Sequence, residues 1–460
     1  MEDPSPKPIT LESFGEIADY FEPQSTRYLV RNPAGRWLPL TETSYKRHLR
    51  ARGLKSKADE GNPLSDIDAA ILDVQGQRDI SYYGPICGKN AGSLEANGQR
   101  ILVTEDMHLP EPAPGPWNCL RAIIAGLLGH GETGPIGRAQ VSTFHGWIKS
   151  SVEALRAGVL QQQQALALCG PPRCGKSFLQ GIITHLLGGR GAKAERYFSG
   201  KTDFNADLFA AEHLMLEDEH CSTRIDQRLK LGAAIKQHTV STFLSSLHAK
   251  GRTAINLPGW WRISITLNDD PEAMMVLPPL DQHIADKIIL LRASVFKWPM
   301  PMETMSERTS FHAKILSEIP AYLHWLLHEW QMPAEVADPA RYNVATFHHP
   351  ELAETLHFFS PEAELHELLG IAYADHWRNG LTVNEPASEI ESVLRRREPV
   401  RAERLLTFRN ASGTYLGRLA KKHPQHLESV RDETRRWWII RPELFTQNPS
   451  EGVSATEMTD

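Results

Sequence analysis

The residues best suited to chemistry belong to the motif G-x-x-x-x-G-K-S, which occupies residues 170–177. Gly170 and Gly175 let backbone N–H groups turn toward an anion, Lys176 can reach terminal phosphates, and the Ser177 hydroxyl suits a magnesium ion. The pattern therefore predicts a loop that cradles the phosphates of a nucleotide. The residues expected to line it are Gly170, Pro171, Pro172, Arg173, Cys174, Gly175, Lys176, Ser177 and Phe178.

Such a loop needs a strand before it and a helix after it. The run Leu166–Cys169 is apolar, and 178–187 is suited to a helix whose N-terminus would favour an anion. From 165 to about 298, short β-rich runs alternate with helical stretches. This order is typical of a parallel sheet with crossover helices.

Three consecutive carboxylates follow the apolar run 213–216. Hydrolysis of a nucleoside triphosphate requires one carboxylate that holds magnesium and another that activates water. The spacing favours Asp218 as the magnesium residue and Glu219 as the base, while Glu217 competes for either role.

Asn268 ends the next apolar run, Trp260–Leu267. Its amide is suited to orienting a water near the γ-phosphate. The alternative is a turn-forming asparagine ahead of Asp269, Asp270 and Pro271, because Asn and Asp are favoured turn residues. Order and spacing favour the catalytic interpretation.

A basic turn separates two apolar runs at residues 243–257. His248, Lys250 and Arg252 stand near the tip of the predicted hairpin, where they could hold a nucleic-acid backbone. The alternative is a solvated surface hairpin, because basic turns are common.

A second basic region lies between Arg395 and Arg441, with 13 Lys and Arg against 5 Asp and Glu. A predicted helix at 414–423 carries Arg418, Lys421 and Lys422, and a strand follows at 436–441. This pattern predicts a winged-helix-like domain that binds DNA with its helix and basic side chains. A protein-interaction face is the alternative.

The chain divides into segments by composition. Residues 14–21 are predicted as a helix and 27–38 as a hairpin, and proline alternates with small residues in the linker. The predicted segments are an N-terminal α+β module (1–108), a proline-rich linker (109–116), a helical collar (117–164), an ATPase-type α/β domain (165–300), a helical lid (301–372), the basic domain (373–447) and a disordered tail (448–460).

Overall composition is that of an ordinary globular protein, with 41% hydrophobic and 23% charged residues and a net charge of −6. No apolar run approaches the ~20 residues that span a bilayer, and no secretory signal is evident, so a cytoplasmic protein without membrane contact is expected. Five cysteines without CxxC pairs argue against a disulfide framework and a zinc site.

Taken in order, these motifs resemble the superfamily 3 helicases, AAA+ proteins with an α/β P-loop core. Residues 170–177 match motif A, Glu217 to Glu219 motif B, His248 and Lys250 the B′ hairpin, and Asn268 motif C. The wider resemblance is to primase-helicases of phages and plasmids. It is carried by the 27–38 hairpin with its basic helix, by Asp286-Lys287-Ile288, and by the segments 341–350 and 356–362.

The resemblance implies an ATP- and Mg2+-dependent DNA helicase that acts as a homohexamer on single-stranded or forked DNA. It also implies a residue that reaches the ATP of a neighbouring subunit. Lys287 stands near the expected place and Arg292 follows, so both are candidates. The region before the linker is only about a hundred residues long, too short for a separate primase catalytic domain, so any priming would come from a separate primase or replication protein. The competing interpretation is an AAA+ switch or assembly scaffold, for instance in anti-phage defence, without helicase activity.

Overall fold

The computed structural model describes residues 19–129, 134–217, 224–240, 245–281, 283–358, 360–432 and 435–446. All structural statements below refer to these residues. Two predicted site residues, Asp218 and Glu219, lie outside them, as does the predicted tail. Among the described helices, none combines the length and the apolar character needed to cross a bilayer.

Two small sheets and two helices form the N-terminal part. Strands β1 to β3 are antiparallel in the order β1-β2-β3, while β6 pairs with β4 in parallel and with β5 in antiparallel fashion. The elements are β1 (Tyr20–Glu22), β2 (Arg27–Arg31), β3 (Trp37–Leu40), α1 (Glu42–Ala51), α2 (Asp66–Gln77), β4 (Tyr82–Gly84), β5 (Gly92–Ala96) and β6 (Gln99–Val103).

The start of this region corrects one sequence prediction. Residues 14–21 were expected to be helical, but Tyr20 and Phe21 belong to strand β1. The backbone of Phe21 donates to the carbonyl of Arg78 at 3.1 Å and accepts from the N–H of Ile80 at 2.8 Å. These tertiary backbone hydrogen bonds outweigh local helix propensity.

The central part is a mixed α/β unit, which confirms the predicted class. Its parallel sheet has the strand order β13-β7-β12-β9-β8. The elements are α3 (Asn118–Leu128), α4 (Pro135–Ala157), β7 (Ala165–Cys169), α5 (Lys176–Leu186), β8 (Gly191–Lys193), α6 (Glu195–Phe198), α7 (Ala206–Phe209), β9 (His213–Glu217), α8 (Ile225–Val240), β10 (Ser245–Leu247), β11 (Ile255–Leu257), β12 (Arg262–Leu267), α9 (Pro271–Met274), a 3-10 turn (Ala285–Lys287) and β13 (Ile288–Arg292).

Burial explains why the strands of this sheet could be predicted from the sequence. Every residue of β7 and β12 is buried, as expected for parallel strands covered on both faces. Leu267 pairs with Cys169, and Arg292 pairs with the same Cys169 from the other side. The carboxyl ends of the three neighbouring strands therefore meet at one edge.

Helices dominate the remainder. A long helix with a terminal π-turn leads to the C-terminal unit, whose three strands form an antiparallel sheet in the order β16-β18-β17. The elements are α10 (Met305–His324), the π-turn (Trp325–Glu329), β14 (Ala337–Asp338), β15 (Asn343–Val344), α11 (Pro350–Phe358), α12 (Pro361–Ala372), α13 (Ala374–Arg378), β16 (Val383–Pro386), α14 (Ala387–Arg397), α15 (Pro399–Leu405), α16 (Ala411–Lys422), β17 (Leu427–Arg431), β18 (Arg436–Ile440) and α17 (Glu443–Thr446).

Candidate functional site

The glycine-rich loop leaves β7 and enters α5 under tight steric constraint. A Cβ on Gly170 would lie 2.2 Å from the carbonyl oxygen of Ala293, so no larger residue fits. Gly175 has a φ of +113°, and a Cβ there would lie 2.9 Å from the ring of Trp298. Both glycines are therefore required by the backbone and its neighbours.

Lys176 closes over the loop from the first turn of α5. It is 8% exposed, and its Nζ donates to the carbonyl oxygens of Gly170 at 2.7 Å and Pro171 at 2.8 Å. The same Nζ lies 3.3 Å from Oδ1 of Asn268. The ammonium group is thus held by neutral oxygens, which an anionic phosphate oxygen could replace with a stronger interaction.

Asn268 reaches this position because β12 lies beside β7. The strands are in parallel register with Leu267 opposite Cys169, so Asn268 and the loop leave the sheet at the same edge. The structure therefore brings together Lys176 and Asn268, two of the predicted site residues, although 92 positions separate them in the chain.

Glu217 lies farther along the same edge. It ends β9 opposite Thr266 of β12. Its carboxylate binds Nζ of Lys193 on the outer strand β8 at 2.9 Å, and its N–H donates to Oε1 of Glu195 at 3.1 Å. The carboxylate of Glu217 is thus engaged by Lys193, and its role as a metal ligand or base stays a prediction.

The remaining loop residues differ in exposure. Arg173 is exposed with a φ of +63°, and Ser177 is exposed on the first turn of α5. Cys174 is 2% exposed, and burial raises the pKa of its thiol, so it is not a reactive thiolate. Phe178 packs edge-on against Trp298, with ring centroids 5.5 Å apart.

A metal ion at this edge would rely on few groups. Ser177 offers an accessible hydroxyl beside the loop, while Asp218 lies outside the described residues. Within the described ranges, no cluster of three or more His, Cys, Asp or Glu residues is arranged to hold a metal.

Trp298 is a neighbour of the loop that sequence reasoning missed. It contacts both Gly175 and Phe178, and its own ring lies 4.7 Å from that of Phe296. The sequence holds only a weak signal for it, namely two aromatic residues, Phe296 and Trp298, shortly after β13.

The two candidates for an intersubunit contact differ in their surroundings. The side chain of Lys287 is 6% exposed and binds Asp286 at 2.6 Å, and Asp286 also binds Arg341. Arg292 is 32% exposed and pairs with Glu351 at 2.6 Å. Arg292 lies next to Cys169, so it sits beside the loop of its own chain.

The basic turn is a real hairpin, because β10 and β11 pair in antiparallel register. The backbone N–H of His248 donates to Oδ1 of Asn205 at 2.7 Å. Lys250 is exposed. Arg252, in contrast, stacks on Tyr83 of the N-terminal sheet, with its guanidinium carbon 4.4 Å from the ring centroid.

The cations of α16 also differ among themselves. The helix begins at Ala411, three residues before the predicted start. Arg418 pairs with Asp281 at 3.4 Å and with Glu362 at 3.1 Å, which ties α16 to the segment before β13 and to α12. Lys422 lies 3.3 Å from His357, and Lys421 is exposed. Arg418 is therefore engaged within the protein, while the two lysines face outward.

This arrangement predicts a coupling between Arg418 and Asp281. In a double-mutant cycle of Arg418→Ala and Asp281→Ala, urea unfolding should give a coupling energy of about 0.5–1 kcal/mol, the size usual for partly exposed ion pairs. Lys421→Ala, on the same helix, is the control and should leave stability unchanged. The prediction is wrong if the coupling is zero and Arg418→Ala instead weakens duplex DNA binding as much as Lys421→Ala does.

Comparison with solved structures shows which known proteins this chain resembles in fold. No family model matches the sequence, and no curated protein matches it. The apo structure of the NrS-1 C-terminal region (305–718) aligns with a TM-score of 0.53 at 10% identity, covering 94% of this chain and 97% of that one. Its A form gives a TM-score of 0.52 at 10% identity, again over 94% and 97%.

A structure titled "SCCmec type IV Cch - active helicase" aligns over 88% of this chain and 73% of that chain, at 9% identity. Its TM-score of 0.31 is too low to support an argument. The chain is therefore similar in overall fold to the NrS-1 region, and the likeness concerns the fold alone.

Proposed function

We propose that this protein is an ATP-dependent DNA helicase or translocase of a mobile genetic element, working as a hexameric ring on single-stranded DNA. The observation that carries the proposal is the contact of Lys176 with Asn268 at the mouth of the glycine-rich loop. Spacing alone predicted that these two groups act on one phosphate, and the strand order supplies a physical reason for their proximity. The exposed Lys250 extends the proposal from ATP hydrolysis to DNA.

The residues of the loop have separate tasks in this proposal. Backbone N–H groups of 170–177 and Nζ of Lys176 bind the β- and γ-phosphates of ATP. Ser177 and Asp218 would hold a magnesium ion, which would supply positive charge against the negative charge of the phosphates. Glu219 accepts a proton from the attacking water, and Asn268 orients that water.

The ring completes the site from a neighbouring subunit. Lys287 or Arg292 would stabilise negative charge on the ATP of that neighbour. For Lys287 this requires release from Asp286, and for Arg292 release from Glu351. Arg292 already lies beside the loop of its own chain, which favours Lys287 as the intersubunit residue.

DNA would be held by the hairpin tip and moved as ATP is hydrolysed. Lys250 is the candidate phosphate contact, assisted by His248, while Lys421 and Lys422 are candidates for a separate duplex contact. Arg252 packs on Tyr83 and Arg418 forms an ion pair with Asp281. We therefore place both after the lysines among the candidate DNA contacts.

Lys250→Ala tests the proposal. We expect the variant to lose stimulation of ATP hydrolysis by single-stranded DNA and to unwind a forked duplex at least about tenfold more slowly, because one charge-assisted hydrogen bond per subunit is removed. ATP hydrolysis without DNA should be unchanged. Lys57→Ala, which removes another exposed lysine, is the matched control and should behave as wild type.

The competing function is an ATPase switch or scaffold in which the hairpin has a structural role and does not contact DNA. The stacking of Arg252 on Tyr83 favours it, because this contact fixes the hairpin to the N-terminal sheet. If wild-type protein hydrolyses ATP but neither binds single-stranded DNA nor is stimulated by it, the helicase proposal fails and the switch remains.

A further inference from the structure

One face of the N-terminal sheets carries three aromatic rings that are only partly buried. Tyr20, Trp37 and Tyr83 pack over a small cluster of three fully buried residues, Leu29, Ile80 and Leu102. The rings of Tyr20 and Trp37 meet edge to face, with centroids 5.6 Å apart. The three side chains come from β1, β3 and β4, so they form an outer layer across the sheets.

Cations share this face. Arg31 is exposed and stands directly opposite Trp37 in the β2–β3 pair, and Arg27 stands opposite Glu22 in the β1–β2 pair. Paired residues of antiparallel strands project to the same side. Glu22 is 0% exposed, and its Oε2 accepts a hydrogen bond from the backbone N–H of Ser25 at 3.0 Å.

The same face is joined to the basic hairpin. Arg252 lies over Tyr83, and the backbone N–H of Thr253 donates to Oε1 of Gln24 in the β1–β2 turn at 2.8 Å. On the far side, Nδ2 of Asn97 donates to the carbonyl oxygen of Asn256 at 2.8 Å. The hairpin tip therefore lies against the aromatic face, with Lys250 left exposed.

We propose that this aromatic face, defined by Tyr20, Trp37, Tyr83, Arg27 and Arg31, is a second binding site for single-stranded DNA, continuous with the Lys250 hairpin. The inference rests on the proposed function and extends it. The single-stranded DNA that leaves or enters the hairpin would lie on the N-terminal sheets. Partly exposed rings flanked by cations offer stacking surfaces for bases and charges for the backbone.

The occupant is single-stranded rather than duplex DNA. Bases can stack on aromatic side chains only when they have left the helical stack of the duplex. Cations on the face complement the phosphate backbone, and the site gains no sequence preference because every base has a stacking surface.

The rings also cover an apolar cluster, so the test separates packing from stacking. Trp37→Leu keeps an apolar cover but removes the stacking surface, and Trp37→Phe keeps both. Binding is measured by fluorescence anisotropy on the full chain with oligo-dT of about ten and about thirty nucleotides, lengths chosen around the usual site sizes. Thermal unfolding is recorded for each variant.

We expect Trp37→Leu to raise the Kd for the longer oligonucleotide at least about fivefold, as loss of ~1 kcal/mol of stacking requires. The shorter oligonucleotide, which the hairpin alone can hold, should bind as to wild type, and Trp37→Phe should restore tight binding. Basal ATP hydrolysis and the unfolding midpoint should not change in either variant.

Two results overturn the proposal in distinguishable ways. If Trp37→Leu and Tyr20→Leu bind the longer oligonucleotide as wild type does while Lys250→Ala weakens it, the aromatic face is only a cover and the helicase proposal stands. If wild type binds neither oligonucleotide, both proposals fail. Equal weakening by Trp37→Leu and Trp37→Phe, with a lowered unfolding midpoint, assigns Trp37 to packing and also rejects the site.

Discussion

Lys176→Ala should lower the rate of ATP hydrolysis at least about a hundredfold, because removal of one preorganised charge beside the transferred phosphate costs roughly 3–4 kcal/mol of transition-state stabilisation. The structure adds a reason specific to this loop. Nζ of Lys176 is held by the carbonyls of Gly170 and Pro171 and by Asn268. Alanine leaves these oxygens without their donor and the phosphates without their cation.

The measurement is steady-state phosphate release at saturating ATP and magnesium. Lys176→Arg should also fail, because a planar guanidinium cannot take the compact position of the buried ammonium. Lys57→Ala serves as the matched loss of one positive charge. Hydrolysis by Lys176→Ala within about twofold of wild type would remove the glycine-rich loop from the active site.

A steep loss of stability in mild acid is the second large effect. His213 and His145 are 0% and 5% exposed, and burial lowers the pKa of each imidazole to about 3. His213 bridges Thr184 and Ser264, at 2.7 Å to each hydroxyl, and His145 contacts the Tyr322 hydroxyl at 2.8 Å. Both rings are therefore neutral in the folded protein at neutral pH.

The sign follows from the two states. In the unfolded chain each histidine has a pKa near 6.5 and takes up a proton as pH falls below it, while the folded protein does not until about pH 3. The stability that each neutral ring contributes is present above pH 6.5 and is lost as pH falls toward the folded pKa. Between about pH 7 and about pH 5 the two together should cost about 4 kcal/mol of unfolding free energy.

Urea titrations across this range give the measurement, and His213→Gln supplies the comparison. Glutamine can still reach one of the two hydroxyls but does not titrate. The unfolding free energy of the variant should therefore change less with pH than that of wild type, by the contribution of one histidine. If the unfolding free energies of the two proteins change with pH in parallel, His213 takes up its proton at the same pH in the folded and the unfolded protein, contrary to its burial.

The sheet edge that carries the glycine-rich loop was largely predictable from sequence. Fully buried parallel strands appear as short continuous apolar runs, and the loop, the carboxylates and Asn268 follow them at fixed offsets. The sequence could therefore place Lys176 and Asn268 at one edge before any strand order was known. For the three carboxylates the sequence favoured Asp218 and Glu219 with Glu217 as a competitor, and this assignment stays a prediction because Asp218 and Glu219 lie outside the described residues.

The cations were harder to assign because their partners are distant in sequence. Arg252 and Arg418 resembled DNA contacts while only their own turn and helix were considered, but Tyr83, Asp281 and Glu362 engage them in the fold. Long side chains are flexible enough to meet either a phosphate or a carboxylate, so local sequence does not specify the partner. Of the predicted DNA contacts, Lys250, Lys421 and Lys422 are exposed, although Lys422 also lies 3.3 Å from His357, and their role stays a prediction.

The fit between Gly170 and the carbonyl of Ala293 has a mechanical consequence. Ala293 directly follows β13 and Lys287 directly precedes it, and β13 is hydrogen-bonded to β7 along its length. Because close-packed interiors transmit strain, a displacement of Lys287 along the strand would reach the glycine that has no room to yield. In the proposed ring, the loop of each subunit would thus be linked to the nucleotide of its neighbour through about 20 Å of extended chain.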